Sequence, residues 1–163
     1  MRESGILMPV SSLPGPYGIG CFGKAAFQFV DFLAAAGQKI WQILPLSPTG
    51  YGDSPYQSCS AFAGNPYFVD LEALQKEGLL TAADLKAEKW GTNPLEVDYG
   101  TLYVSRFAVL RKAYANWRSQ CAGLHGCAHY YPDDYYAFAL SHEDWLDDYA
   151  LYMALKVANG MKN

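Results

Sequence analysis

Two short apolar segments on either side of one helical segment set the strongest constraint on the fold of this chain. Residues 5–8 form an apolar run ended by Pro9, and residues 39–44 form a second run, rich in β-branched and aromatic side chains, ended by Pro45. Residues 22–36 lie between them and place apolar side chains at helical spacing. The pattern predicts a βαβ unit with two parallel strands, the first of them buried, and a right-handed connection. The apolar side chains of the predicted helix face are Ala25, Phe29, Phe32 and Ala36.

The loops that follow the two predicted strands are the places where a binding site is expected. In parallel α/β proteins, the loops that leave the carboxyl ends of the strands carry the functional residues. Residues 49–66, TGYGDSPYQSCSAFAGNP, hold three aromatic side chains, three glycines and a single charged residue, Asp53. This stretch is too rich in turn-forming residues for a helix or strand, and too aromatic for an ordinary solvated loop. We expect Asp53 to hydrogen-bond the loop amides, as aspartate commonly does in turns.

After residue 69 the predicted elements are all helices. They cover residues 71–77, a segment with Thr81 as its N-cap, and residues 101–119, 134–141 and 143–159. The side chains predicted on one face of the 101–119 helix are Tyr103, Phe107, Leu110, Tyr114 and Trp117. The sequence therefore predicts the α/β class: residues 1–69 begin a (β/α)8 TIM barrel, and residues 70–163 form a mostly helical insertion. Such a barrel needs eight strands and about 250 residues, so the barrel is incomplete in these residues, which are either the front part of something longer or pair with other chains.

Charge and hydropathy argue against several kinds of partner. The chain has 16 acidic and 12 basic residues, a net charge of −4, and no basic run longer than Arg111-Lys112. We therefore expect neither nucleic acid nor an anionic membrane surface as a partner. No apolar run approaches the roughly 20 residues of a membrane span, and the first residues lack the pattern of a secretion signal. The expected location is the cytoplasm, where the four cysteines would not form a disulfide framework.

One cluster combines the side chains that zinc prefers. Cys121, His125, Cys127 and His129 fall within nine residues, but their spacing lacks the two-residue gap that aims neighbouring ligands at one ion. We expect a loop between helices and no metal. Neither Gly18-Ile-Gly20 nor Gly50-Tyr-Gly52 continues into a phosphate-binding motif, so we expect no cofactor.

Three long stretches carry a resemblance to a known family. They are residues 2–20, RESGILMPVSSLPGPYGIG; residues 29–80, from FVDFLAAAGQKIWQILPLSPTGYGDSPYQSCSAFAGNP to EGLL; and residues 142–156, HEDWLDDYALYMALK. In this order they resemble the N-terminal portion of the amylomaltases. These are the 4-α-glucanotransferases, or disproportionating enzymes, of the α-amylase clan.

The resemblance implies an activity whose catalytic groups lie elsewhere. Enzymes of this family cut an α-1,4-glucan, hold the sugar as a covalent glycosyl-enzyme and pass it to another glucan. This retaining chemistry needs two carboxyl groups about 5 Å apart, one on each side of the bond. The family supplies them from later barrel strands, beyond the position that matches Asn163. Asp147-Asp148 and Glu143-Asp144 are adjacent helical pairs that point in different directions. We therefore expect no catalytic residue here, and an inactive 163-residue chain.

The resemblance also implies which residues bind the sugar. Tyr56 matches a tyrosine that lines the subsite of the transferred glucose, and Ser54 matches a polar neighbour in that subsite. Tyr51 matches a tyrosine that contacts glucan at a second site. Pyranose rings present apolar C–H faces that lie well on aromatic rings. The alternative for each tyrosine is a ring packed under the loop. At Cys59 many members carry an aromatic residue, and we expect a buried thiol there.

The expected partners are maltooligosaccharides or longer α-1,4-glucans, together with the C-terminal part of the same enzyme. An alternative function is a noncatalytic glucan-binding or regulatory module, the product of a truncated gene. Both hypotheses predict the same aromatic loop, so only a measurement of activity separates them.

Overall fold

A computed structural model describes residues 2–125 and 131–161. The elements, in chain order, are β1 Gly5–Leu7, α1 Lys24–Ala35, β2 Ile40–Gln42, α2 Leu71–Lys76, α3 Ala82–Lys86, α4 Tyr99–His125, α5 Asp133–Ser141 and α6 Leu146–Ala158. Two short 3-10 helices, Val10–Ser12 and Pro66–Phe68, precede α1 and α2. The predicted order of strand, helix, strand and further helices is therefore observed.

The two strands pair in parallel, as the sequence predicts. Ile6 lies opposite Trp41, and Gly5 lies opposite Ile40. A Cβ atom on Gly5 would lie only 2.5 Å from the Ile40 carbonyl oxygen, so this register requires glycine. The ladder continues past β2 with a 3.0 Å hydrogen bond from the Met8 N–H to the Gln42 carbonyl. Both strands are shorter than the predicted residues 5–8 and 39–44.

The prediction that the first strand is buried is wrong for the described residues. Ile6, Leu7 and Ile40 are all exposed, because the described part of the chain supplies no further strand to either edge. The α1 helix likewise buries only Ala26 and Leu33 and leaves Phe32, which was predicted on its buried face, largely exposed. Few side chains of β1, α1 and β2 are therefore buried, and Ala26 and Leu33 are the buried residues of α1.

The main apolar core lies where α2, α3 and α4 meet. Leu71 is completely buried there, and Trp90 and Trp117 pack against the same cluster. The buried members of the cluster are Leu71, Leu79, Leu80, Leu85, Val109 and Ala113. In contrast, α5 and α6 contain no buried residue.

The α4 helix turns a different face inward from the one predicted. Leu102, Arg106, Val109 and Ala113 are buried, whereas the predicted residues Tyr103 and Tyr114 are exposed. The observed face includes a charged side chain, the Arg106 guanidinium, whose Nη2 donates to the Val69 carbonyl. Hydrophobic periodicity cannot select a face whose centre is an arginine, and this explains the error.

Side-chain caps begin the short helices. Thr81 and Asp84 form a capping box at α3, with each side chain accepting from the other residue's backbone N–H. The Lys112 ammonium of α4 pairs with the Asp84 carboxylate, and together with Thr81 it lowers the pKa of Asp84 to about 2. This contact joins α3 to α4 at the surface, and the predicted N-cap role of Thr81 is confirmed.

Several expectations concern cysteines, metals and membranes. Cys21, Cys59 and Cys121 are free thiols. Within residues 2–125 and 131–161, no three His, Cys, Asp or Glu side chains are grouped in a way that could hold a metal ion. The side chains of His125, Cys127 and His129 lie outside the described residues, so the expectation for that cluster stays a prediction.

No helix in the described ranges is both long and apolar enough to cross a membrane. The division into residues 1–69 and 70–163 also stays a prediction.

The core at α2 gives a stability prediction with a matched control. Leu71→Ala removes a completely buried side chain and should lower the free energy of unfolding by about 2–5 kcal/mol. Leu95 is 91% exposed, so Leu95→Ala should change it by less than about 0.5 kcal/mol. Urea unfolding followed by tryptophan fluorescence measures both, since Trp90 and Trp117 border the core. Equal midpoints for the two variants would contradict this description of the core.

Candidate functional site

A cavity of about 260 Å³ lies beyond the carboxyl ends of β1 and β2. Its walls come from Pro9–Ser12 after β1, from the β2 loop (residues 43–64), from the 3-10 helix Pro66–Phe68 and from Tyr99 at the start of α4. The polar side chains that line it are Ser11, Ser12, Thr49, Asp53, Asn65, Tyr67 and Tyr99. The position agrees with the expectation that binding residues follow the strands.

Tight turns shape the outer part of the β2 loop. The Asp53 N–H donates to the Gly50 carbonyl at 3.2 Å, and the Gly50 N–H donates to the Gln57 carbonyl at 3.2 Å. Gly52 and Asp53 have φ angles of 91° and 53°, in the left-handed region. Glycine adopts this conformation at no steric cost, and aspartate is one of the few other residues that tolerate it. These turns reverse the chain between Gly50 and Gln57.

The loop sends its residues in two directions. Thr49, Asp53 and Pro55 face the cavity, whereas Tyr51 is fully exposed and Tyr56 is 73% exposed. The alternative in which both rings pack under the loop is therefore not what the structure shows. Exposed aromatic faces are available to a ligand from solvent.

Ser54 and Tyr56 are directly connected. Ser54 is half-buried, and its hydroxyl accepts a long hydrogen bond, 3.4 Å, from the Tyr56 backbone N–H across the turn that presents the Tyr56 ring. Tyr51 belongs to the same turn region, between Gly50 and Gln57, and its side chain is fully exposed. The three predicted residues thus share one loop, and their roles toward a sugar stay predictions.

Asp53 turns inward. Its carboxylate accepts from the Thr49 hydroxyl at 3.4 Å, so the prediction that it would hold loop amides is wrong. The left-handed backbone at Asp53 aims the side chain at the cavity rather than along the loop. Partial burial raises the pKa of Asp53, and the hydrogen bond from Thr49 opposes that rise.

Two cavity tyrosines were not found from the sequence. Burial, and then the nearby Asp53 carboxylate, raise the pKa of Tyr67 to about 12. The same two causes raise the pKa of Tyr99, which belongs to α4. No local pattern places Tyr99 beside a loop that precedes it by more than thirty residues. The approach of α4 to the β2 loop is a tertiary feature, without a signal in spacing or composition.

Cys59 is exposed, so the expectation of a buried thiol is wrong. It lies between Ser58 and Ser60, whose hydroxyls bond loop backbone groups and hold this part of the chain at the surface. Nearby, the Phe62 ring stacks on Trp145 with 5.9 Å between ring centroids. Phe62 therefore attaches the β2 loop to the start of α6, consistent with its predicted role as scaffold.

The arrangement suits binding better than bond cleavage. Retaining cleavage of a glycosidic bond needs two carboxyl groups about 5 Å apart. Among the described residues, only Asp53 brings a carboxylate to the cavity. The hydroxyls and amide of the cavity, together with the exposed rings of Tyr51 and Tyr56 outside it, match what a carbohydrate needs, namely fixed hydrogen-bond partners and apolar faces.

The fold and the site together indicate a protein of the β/α-barrel class. The described residues form the opening βαβ unit of such a barrel, with a polar, aromatic site at its strand ends. A solved structure, an amylomaltase from Streptococcus agalactiae in complex with acarbose, has a similar fold, with a TM-score of 0.85 and 41% identity. The match covers 99% of this chain and 31% of that protein, and the predicted fold class is confirmed.

Curated relatives agree with the structural match. A 4-alpha-glucanotransferase of Clostridium butyricum is 51% identical over 150 residues, which are 91% of this chain and 28% of that protein. A 4-alpha-glucanotransferase of Thermus thermophilus is 45% identical over 162 residues, or 98% of this chain and 30% of that protein. A family model described as 4-alpha-glucanotransferase matches residues 8–163. The chain belongs to the 4-alpha-glucanotransferase family, as the resemblance predicted, and spans about 30% of its relatives' length, at their N-terminal end.

The inward carboxylate gives a prediction about pH and stability. Since folding raises the pKa of Asp53 above its ordinary value of 3.8, its ionisation opposes folding. The stability from this group is fully present below the ordinary pKa and is lost as the pH rises through the folded pKa. Asp53→Asn keeps a residue that tolerates the left-handed backbone. This variant should be more stable than the parent at about pH 7, and the difference should vanish below about pH 3.

Asp98→Asn is the matched control, and it should change the stability in the opposite direction. Asp98 accepts from the Thr101 N–H, and this bond lowers the pKa of Asp98. Its contribution to stability is present above the ordinary pKa and lost as the pH falls through the folded pKa. Asp98→Asn should therefore be less stable than the parent near neutral pH. Urea midpoints across the acid range compare the two, and an Asp53→Asn variant destabilised at neutral pH would contradict the prediction.

Proposed function

We propose that these residues form part of the glucan-binding surface of a 4-α-glucanotransferase, which transfers α-1,4-glucan segments between maltooligosaccharides by a retaining mechanism. The observation that carries the proposal is the pair of exposed rings, Tyr51 and Tyr56, on a loop at the strand ends of a chain belonging to this family. The structural neighbour that was solved with acarbose supports a carbohydrate as the ligand of this fold.

Each loop residue has a proposed role. The exposed Tyr56 ring lies against the C–H face of the glucose being transferred, and the Ser54 hydroxyl hydrogen-bonds that sugar. Tyr51 contacts a glucan at a second position on the outer side of the loop. Since the Ser54 hydroxyl already accepts from the Tyr56 backbone N–H, the pair approaches the sugar in a preset geometry, which lowers the entropy lost on binding.

The bond-changing steps belong to groups outside this chain. In retaining transfer, a carboxylate attacks the anomeric carbon while a carboxylic acid protonates the departing glucan oxygen. The 4-hydroxyl of an acceptor then attacks the glycosyl-enzyme and gives its proton to the same acid/base group. The residues described here orient the two glucans for these steps. The partners we propose are maltooligosaccharides and the remainder of the same enzyme, in the cytoplasm, without nucleic acid or membrane.

Replacement of Tyr56 tests the binding role. In the full-length product of the gene, Tyr56→Ala should lower kcat/KM for maltotriose by about 10- to 100-fold, because it removes the stacking surface. Tyr56→Phe keeps the ring and should lose much less. Glucose released from maltotriose, followed by a coupled assay, gives both numbers.

Tyr114→Ala is the matched control for this experiment. Tyr114 is also an exposed tyrosine, but it lies about four turns, or roughly 22 Å, beyond Tyr99 along α4. Its replacement should leave kcat/KM unchanged. Equal losses for Tyr56→Ala and Tyr114→Ala would argue against a specific role for the loop.

Activity of the full-length product separates the two candidate functions, and activity of the 163-residue chain tests where the catalytic groups lie. With a single cavity carboxylate among the described residues, the chain alone should release no glucose from maltotriose. Glucose release at a rate above a Tyr56→Ala control would show that the catalytic groups lie within these residues. The alternative, a noncatalytic glucan-binding module, is favoured by the same single carboxylate. It would be supported by a full-length product that binds maltooligosaccharides and transfers none.

A further inference from the structure

We propose that Asn65 is a positioning residue that closes the base of the β2 loop and thereby sets where Tyr51, Ser54 and Tyr56 stand. The inference rests on the proposed function for its consequence in glucan transfer, while the closure itself follows from the hydrogen bonds of Asn65.

Asn65 holds both ends of the loop together. Its backbone N–H donates to the Leu46 carbonyl at 2.8 Å, and its side-chain Nδ2 donates to the Ser47 carbonyl at 3.3 Å. Two consecutive carbonyls at the start of the loop are therefore bonded to the single residue that follows its end. The segment between them, residues 48–64, is closed into a ring.

The orientation of the Asn65 amide is fixed by a third contact. Its Oδ1 accepts from the Tyr67 backbone N–H at 3.0 Å and so caps the 3-10 helix Pro66–Phe68. The oxygen must face the N–H, which leaves Nδ2 facing the Ser47 carbonyl. Asn65 is only 7% exposed, so water competes little for these bonds. One side chain thus links the start of the loop to a helix that lines the cavity.

Besides its base, the loop is attached by the stack of Phe62 on Trp145, which lies nearer in sequence to Asn65 than to the tip at residues 50–57. The hydrogen bonds around Gly50, Asp53 and Gln57 are local and shape the tip without attaching it to the strands. The rings of Tyr51 and Tyr56 are exposed and do not anchor it either. The buried loop residues Pro48 and Ala63 lie next to the closed base. Since a small rotation at the base is amplified at the tip, the position of the tyrosines depends on Asn65.

The experiment uses two Asn65 variants in the full-length gene product. Asn65→Asp has the same shape and keeps the acceptor for Tyr67, but it replaces the donor to Ser47 with an oxygen. Asn65→Ser keeps a capping hydroxyl and is too short to reach Ser47, so it serves if the buried carboxylate of Asn65→Asp prevents folding. Thr81→Ala, which removes the α3 capping box, controls for a general loss of stability.

Two readouts distinguish positioning from stability. Hydrogen exchange of peptides covering residues 48–64 should become faster in the Asn65 variants and stay unchanged in α1. The variants should also lower kcat/KM for maltotriose by about tenfold, and this loss should largely disappear in a Tyr56→Ala background, because both changes act through the same ring. Thr81→Ala should show neither effect.

The outcomes of this experiment distinguish a failure of the positioning role from a failure of the proposed function. Faster loop exchange together with a non-additive loss of transfer supports the positioning role. Unchanged loop exchange, or an equal loss of transfer in Thr81→Ala, overturns it. Faster loop exchange with normal transfer in both the Asn65 and the Tyr56 variants supports the closed base and overturns the glucan-binding function of the loop.

Discussion

The buried guanidinium of Arg106 joins α4 to the chain segment that follows the 3-10 helix Pro66–Phe68. Arg106 is only 1% exposed, and its Nη2 donates to the carbonyl of Val69, directly after the 3-10 helix Pro66–Phe68. Burial lowers the pKa of Arg106, while the neighbouring Cys21 and Asp70 raise it. A buried cation is tolerated only where such partners surround it. This bond ties α4 to the segment just after the β2 loop, and Tyr99, at the start of the same helix, lines the cavity.

The parts of the fold that depend on neighbours in sequence could be predicted. The βαβ unit follows from two apolar runs on either side of a helical segment, and the α3 cap follows from Thr81 and Asp84. Burial depends on more distant contacts, and it was predicted less well. The first strand was predicted to be buried, yet the two-stranded sheet leaves its Ile6 and Leu7 exposed. The inner face of α4 was missed because its centre is Arg106, a residue that no hydrophobic pattern selects.

In the candidate site, too, the features that depend on the local sequence could be predicted, and those that depend on distant contacts could not. Its location on the β2 loop follows from composition and from the position of that loop after a strand. The choice of Tyr51, Ser54 and Tyr56 depends on the resemblance to the family. The inward turn of Asp53 could not be predicted, because it depends on one left-handed backbone angle. Tyr67 and Tyr99 reach the cavity through the packing of a 3-10 helix and α4, which only the folded structure reveals.

The closed base of the β2 loop also affects how such a loop can change over evolutionary time. Because the Leu46 carbonyl and the Asn65 N–H are 2.8 Å apart, the two ends of the loop are as close as hydrogen-bonded neighbours in a sheet. The entropy of closing a loop on fixed ends rises only slowly with its length. On this physical argument, a change in the length or side chains of the loop between these ends costs little and need not move the parallel strand pair.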